Sequence, residues 1–443
     1  METGKISCRR GLSALAVLLM SVSASCGKVI NPDFTLPDIC QQLEDTPVTT
    51  LSAPDPNDPT YPKLAFEDQG KIKVMYGFGN AKLESGKEMI KVEQSVAIPD
   101  YANQATVFLN GWKLNYLGGD QHVLTLGTLI AKIHRDFSNK TKMLRWNAVG
   151  VLRDDDFKEG YEFTYYYTVI AWNDGALNLI VDAGSADKFC STETDLPDKS
   201  FLALNNGTTT ALSSFSVFST TPPTPSSQPV AVLPRGFGFN WYDGDHHLLQ
   251  LGYNLDHSEI FAEKDKIYNN NKKHVRHIGD LLSGIFAPLP TGTSLVDSGF
   301  VSWNTYAILK DDSDRRDYLF TEVVSSLFGS DVHPIQPPFA ILPIESDSGG
   351  FGGAGVKSKD IVIDQIPWEY AIPMLTGWEV GYTVSDQHVK EIGIWIDEIH
   401  YLEQNDPPGR LRYTVSSILH DDDTFPDNYF RHKITILGIG PRG

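Results

Sequence analysis

GWKLNYLGGDQHVLTLGTLI, residues 111–130, decides how the whole chain is read, because it returns twice. The second copy is GFGFNWYDGDHHLLQLGYNL at 236–255, and the third is GWEVGYTVSDQHVKEIGIWI at 377–396. The three align without a gap. An aromatic residue (Trp112, Phe237, Trp378) stands eight places before an aspartate (Asp120, Asp245, Asp386). A histidine (His122, His247, His388) follows that aspartate by two, and a glycine (Gly127, Gly252, Gly393) comes five later.

A second block follows in each copy: WNAVGVLRDDD from Trp146, WNTYAILKDDS from Trp303 and YTVSSILHDDD from Tyr413. Each opens on an aromatic, runs like a strand and ends on acid: Asp154 to Asp156, Asp311 with Asp312, and Asp421 to Asp423. Another aromatic comes soon after, at Tyr161, Tyr318 and Tyr429. Two blocks in one order, three times over, establish internal duplication, which by itself says nothing about function.

Within the copies the apolar period is two. Trp112, Leu114 and Tyr116 alternate with Lys113 and Asn115, as expected of a strand with one buried face. LGGD and YDGD then supply the Gly and Asp of tight hairpins. Short strands with Pro and Gly between them indicate an all-β sandwich or barrel. The expected architecture is therefore three tandem antiparallel β-sandwich (jelly-roll-like) modules behind an N-terminal signal and tether. The boundaries read from the sequence are 1–25 signal peptide, 26–62 flexible tether, 63–178 repeat one, 179–332 repeat two and 333–443 repeat three. Repeat two carries an inserted loop at 258–300, rich in Lys, Asn and His. Insertions in repeat proteins map to loops on one face, where a binding role is often added.

A net charge of −19 over 443 residues excludes an extended phosphate-binding surface, and no nucleic-acid partner is expected. Lys5, Arg9 and Arg10 precede a short apolar run at 11–22, the layout of an export signal. The SASCG that follows, ending on Cys26 and Gly27, resembles a bacterial lipoprotein signal, with Ser23 where that pattern usually has Leu. The resemblance implies acylation of Cys26, a membrane attachment through that lipid, and location in the bacterial cell envelope or on the cell surface. Ordinary cleavage after Ser25 would give a secreted protein instead. Cys40 and Cys190 remain as a candidate disulfide in an oxidising compartment.

Aspartate and histidine two apart on a strand share a face. The pairs Asp120/His122, Asp245/His247 and Asp386/His388 are accordingly expected to act as a clasp, each aspartate or a nearby carbonyl fixing its own histidine on the sheet. The rival expectation is a metal site. Asp154, Asp156, Asp311, Asp312, Asp421 and Asp423 would suit calcium, whereas histidine ligands would suit zinc or another transition metal. No Gly-x-Ser-x-Gly, His-Glu-x-x-His or phosphate loop is present, so the chain reads as a binding or adhesion protein more than an enzyme. Trp and Tyr that stack on sugars and rim carboxylates point to a glycan or cell-surface partner. The alternatives are a secreted metal-dependent hydrolase around repeat two, where His246, His247, His257, His274 and His277 concentrate, and a purely structural envelope protein.

Overall fold

A computed structural model describes residues 49–50, 62–84, 89–137, 141–154, 159–177, 179–181, 199–204, 210–217, 230–241, 244–255, 300–311, 318–329, 339–349, 355–366, 368–383, 386–402, 409–422 and 428–441. The signal, most of the tether, Cys26, Cys40, Cys190, Asp156, Asp312, Asp423 and nearly all of the repeat-two insertion lie outside these residues. What is described is all-β, in curled antiparallel sheets. Among the described residues, no helix is long and apolar enough to cross a membrane.

The strands run β1 (Thr49–Thr50), β2 (Lys63–Asp68), β3 (Ile72–Leu83), β4 (Ile90–Ala97), β5 (Gln104–Tyr116), β6 (Thr125–Asp136), β7 (Met143–Arg153) and β8 (Tyr161–Trp172). Then come β9 (Leu179–Val181), β10 (Lys199–Leu204), β11 (Thr210–Val217), β12 (Val230–Trp241), β13 (Gln250–Leu255), β14 (Phe300–Lys310) and β15 (Tyr318–Gly329). The last are β16 (Phe339–Gly349), β17 (Lys357–Ile366), β18 (Trp368–Tyr382), β19 (Glu391–Leu402), β20 (Gly409–His420) and β21 (Asn428–Pro441). The repeat is therefore longer than its two sequence blocks. Copy one is β3 to β8, copy two β10 to β15, and copy three β16 to β21, so the flanking strands belong to the repeated unit.

No sheet is built from one copy. One has the order β4-β7-β6-β12-β15-β10, a second β11-β14-β13-β18-β21-β16, and the third β17-β20-β19-β5-β8-β3, with β2 beyond it. In each, three strands of one copy meet three strands of the next, and copy three returns to copy one. The molecule closes on itself with pseudo-threefold symmetry. The joints are β6 with β12, β13 with β18, and β19 with β5. β1, from the tether, adds a short parallel strand beside β4.

The repeated glycine serves these joints. Gly127 stands opposite Gly238, Gly252 opposite Glu379, and Gly393 opposite Lys113, each on the strand of the neighbouring copy. A Cβ on Gly393 would sit 2.4 Å from the Trp112 carbonyl oxygen and 2.7 Å from the Lys113 Cα, both backbone atoms that cannot swing aside. Gly127 is similar, with the Phe237 carbonyl oxygen 2.8 Å from where its Cβ would be. The strands that end in the shared turn are also kinked alike, with register shifts at Leu109/Gly111, Pro234/Gly236 and Leu375/Gly377. The bulged residues between them reach to a neighbouring copy in two cases. Asn110 Oδ1 accepts from the Leu375 N–H at 2.8 Å, and Arg235 Nη2 donates to Thr106 Oγ1 at 2.6 Å.

Buried side chains of all three copies form one continuous core. At its centre the repeated aromatics meet as a triangle, with ring centroids 5.2 Å apart for Trp112–Phe237, 5.1 Å for Trp112–Trp378 and 4.9 Å for Phe237–Trp378. Such mixed edge and tilted pairs each add about 0.5–1.5 kcal/mol to the area they bury. The aromatic after each acidic block is structural too. Tyr161 Oη donates to the Gly150 carbonyl at 2.8 Å and Tyr318 Oη to the Ala307 carbonyl at 3.1 Å, tying the sixth strand of the repeat to the fifth.

Because the joint of β19 with β5 leaves no room for a Cβ, Gly393→Ala is expected to cost at least about 2 kcal/mol in chemical denaturation, the scale of overpacking against fixed atoms. A stability within about 0.5 kcal/mol of the parent would contradict this account of the glycine.

Candidate functional site

The Asp-x-His segments lie where the three copies come together. Each is pinned by paired backbone hydrogen bonds to both neighbours. Gln121 bridges Val389, Val123 bridges His246, and Leu248 bridges Gln387. The Val123 N–H donates to the His246 carbonyl at 2.9 Å and the His246 N–H returns to Val123 at 3.1 Å; the other two bridges are equally reciprocal. Three more bonds extend the girdle: Tyr116 N–H to the Lys390 carbonyl, Trp241 N–H to Leu124, and Tyr382 N–H to Leu249. Each histidine therefore sits between two residues that are held by different copies.

This backbone ring aims the three imidazoles at one another. The ring centroids of His122, His247 and His388 lie 4.5 Å, 4.7 Å and 4.5 Å apart, and one donor nitrogen from each falls within 4.8 Å of the others. Every Nδ1 also faces a carboxylate, at 3.4 Å for His122–Asp245, 3.7 Å for His247–Asp386 and 3.3 Å for His388–Asp120. The pairing runs between copies and closes the same circle as the sheets.

The expected clasp within one copy is therefore not how these residues pair. Asp120 serves His388, and His122 is served by Asp245. The rings also do not lie on a buried face. Their side chains are 40%, 38% and 42% exposed, because a bend at Leu124, Leu249 and Lys390 separates each histidine from the strand that follows. An ion pair at that exposure contributes under about 1 kcal/mol, too little to hold a core together. What a carboxylate on Nδ1 does well is fix a ring's orientation and tautomer, leaving Nε2 as the nitrogen available to another partner.

Two tyrosines, Tyr116 and Tyr382, complete the support. Tyr116 Oη donates to the His122 carbonyl and Tyr382 Oη to the His388 carbonyl, both at 3.1 Å. Burial pushes both phenols well above their usual range, and nearby carboxylates (Asp154 and Asp245 for Tyr116, Asp421 and Asp120 for Tyr382) add to it. Both therefore stay protonated as donors at any physiological pH. Copy two has Trp241 instead, packed edge-on against His246 at 5.2 Å. The only hint in the sequence was the aromatic recurring four places before each aspartate.

Of the second-block aspartates expected to suit calcium, Asp154, Asp311 and Asp421 are described; all three are buried, and they belong to three different copies. They do not join the histidine group, which is the cluster that could share an ion among the described residues. The block does reach the Asp-x-His turns: Asp422 Oδ2 accepts from the Asp120 N–H at 3.0 Å, and Asp311 approaches His246 Nδ1 at 4.0 Å. Of the histidines concentrated in repeat two, only His247 enters the cluster, and His257, His274 and His277 lie outside the described residues. No family model, curated protein or solved structure matches this chain, so the site is judged on its geometry.

Since the imidazoles are half-exposed and weakly coupled to the core, His122→Ala should leave thermal stability within about 0.5 kcal/mol of the parent. A loss of about 2 kcal/mol or more would make the histidine a structural clasp after all.

Proposed function

We propose that this chain is an exported, envelope-associated binding protein whose working centre is a divalent transition-metal ion held by His122, His247 and His388. One observation carries the reading: three imidazoles converge, one from each copy, and each has a carboxylate of a neighbouring copy at its Nδ1. That is the outer shell metal-bound histidines need, since it orients the ring and strengthens the donor. In a tetrahedral zinc site, donors at 2.0–2.1 Å stand about 3.4 Å apart. The three nitrogens already lie within 4.8 Å of one another, near that spacing. Imidazole favours zinc, copper or nickel over calcium, which takes oxygen ligands.

The export signal and the lipid on Cys26 remain part of this proposal and would set the ion at the outer side of a membrane. A glycan partner would meet a surface other than Trp112, Phe237 and Trp378, whose faces are spent on each other in the core. A metal-dependent hydrolase is the second reading. It is favoured by the count of donors, because catalytic zinc sites keep three protein ligands and one free position.

The test is metal binding by the purified chain. One zinc per chain is expected, with affinity falling at least about 100-fold in His247→Ala and about 10- to 100-fold in Asp245→Asn, the cost typical of losing an outer-shell partner. Saturating zinc should also raise the unfolding free energy, by about 2.7 kcal/mol at a hundredfold excess over Kd. Unchanged binding in His247→Ala, or none in the parent, would refute the reading.

A further inference from the structure

On the strength of the metal reading above, we propose that the ion's fourth position is open on the pseudo-threefold axis. There it takes a small exogenous donor, neutral nitrogen ligands in preference to anions. The inward side of the axis cannot supply a ligand. Next to the histidines stand Val123, Leu248 and Val389, all buried, and the Trp112, Phe237 and Trp378 triangle occupies the core. None of these aliphatic and aromatic side chains carries a metal-ligating atom. The outward side is wet, since each imidazole is about two-fifths exposed. Among the described residues no fourth His, Cys, Asp or Glu joins the group.

The carboxylates nearest the site do not fill the position either. Asp120, Asp245 and Asp386 are each paired with an Nδ1. A structural zinc site is closed by four protein ligands, whereas three ligands and a solvent-facing vacancy leave room for water or an added donor. The same girdle sets which donor. Three carboxylates against one divalent ion (+2 − 3 = −1 in formal charge) offset part of the ion's pull on an incoming anion, whereas a neutral ligand binds without that penalty. The geometry thus describes a coordination site that captures neutral donors, imidazole side chains or amines among them, from outside the chain.

Cobalt(II) in place of zinc makes the coordination visible in its absorption bands. The full-length protein is loaded with one equivalent of cobalt, then titrated separately with imidazole and with azide. Imidazole should shift the visible bands saturably, and azide should need a concentration about tenfold higher. Asp245→Asn should narrow that gap. Cobalt that binds stoichiometrically but does not respond to imidazole would overturn the open position, and azide binding tighter than imidazole would overturn the preference. A chain that takes up no cobalt fails at the earlier step, since the metal reading itself would then be wrong.

Discussion

The constraint on which everything else depends is that no copy can complete its own sheet. Each repeat ends its three-strand half at β6, β13 or β19, with an unpaired edge that only β12, β18 or β5 of the neighbour satisfies. Exposed strand edges attract other chains, and pairing each of these three with a strand of the next copy covers them. Here the closure is made by duplication: three copies pass their edges around a circle until the third meets the first. Gly127 and Gly393 mark how near the backbones come at these joints.

Closure has a chemical consequence. A residue repeated at one position in each copy is brought near a common axis, so one histidine per repeat becomes a cluster of three. The aromatics do the same deeper in, and there the result is a packed triangle without chemistry. At the turn end the residues are polar and half-exposed, and the result is three nitrogens with a carboxylate behind each. The weak individual Asp–His pairs decide orientation, while the reciprocal Val123–His246, Leu248–Gln387 and Gln121–Val389 bridges decide position.

Much of this was written in the sequence. The duplication, the period-two strands and the Gly/Asp turns all predicted repeated β-structure, and the described residues are all-β. What the pattern did not carry was the partner of each strand. Alternation of Trp112, Leu114 and Tyr116 looks the same whether the next strand comes from the same repeat or another. The Asp120–His388 pairing was hidden for that reason, since spacing suggests the aspartate two residues away and only the closed ring brings the one 268 positions along the chain. One local signal did exist. A glycine five residues after every histidine, in a strand and away from any turn, asks for a backbone pressed against it, and that backbone belongs to the neighbouring copy.

The central claim is that closure of the three repeats builds one metal centre on their shared axis. Crystals of the protein grown with zinc, measured for anomalous scattering at the zinc edge, test it most directly. The account predicts one peak on the pseudo-threefold axis, about 2.0–2.1 Å from a nitrogen of each of His122, His247 and His388. A peak at Asp154, Asp311 or Asp421 with none on the axis, or histidines spread apart in three separate domains, would contradict it.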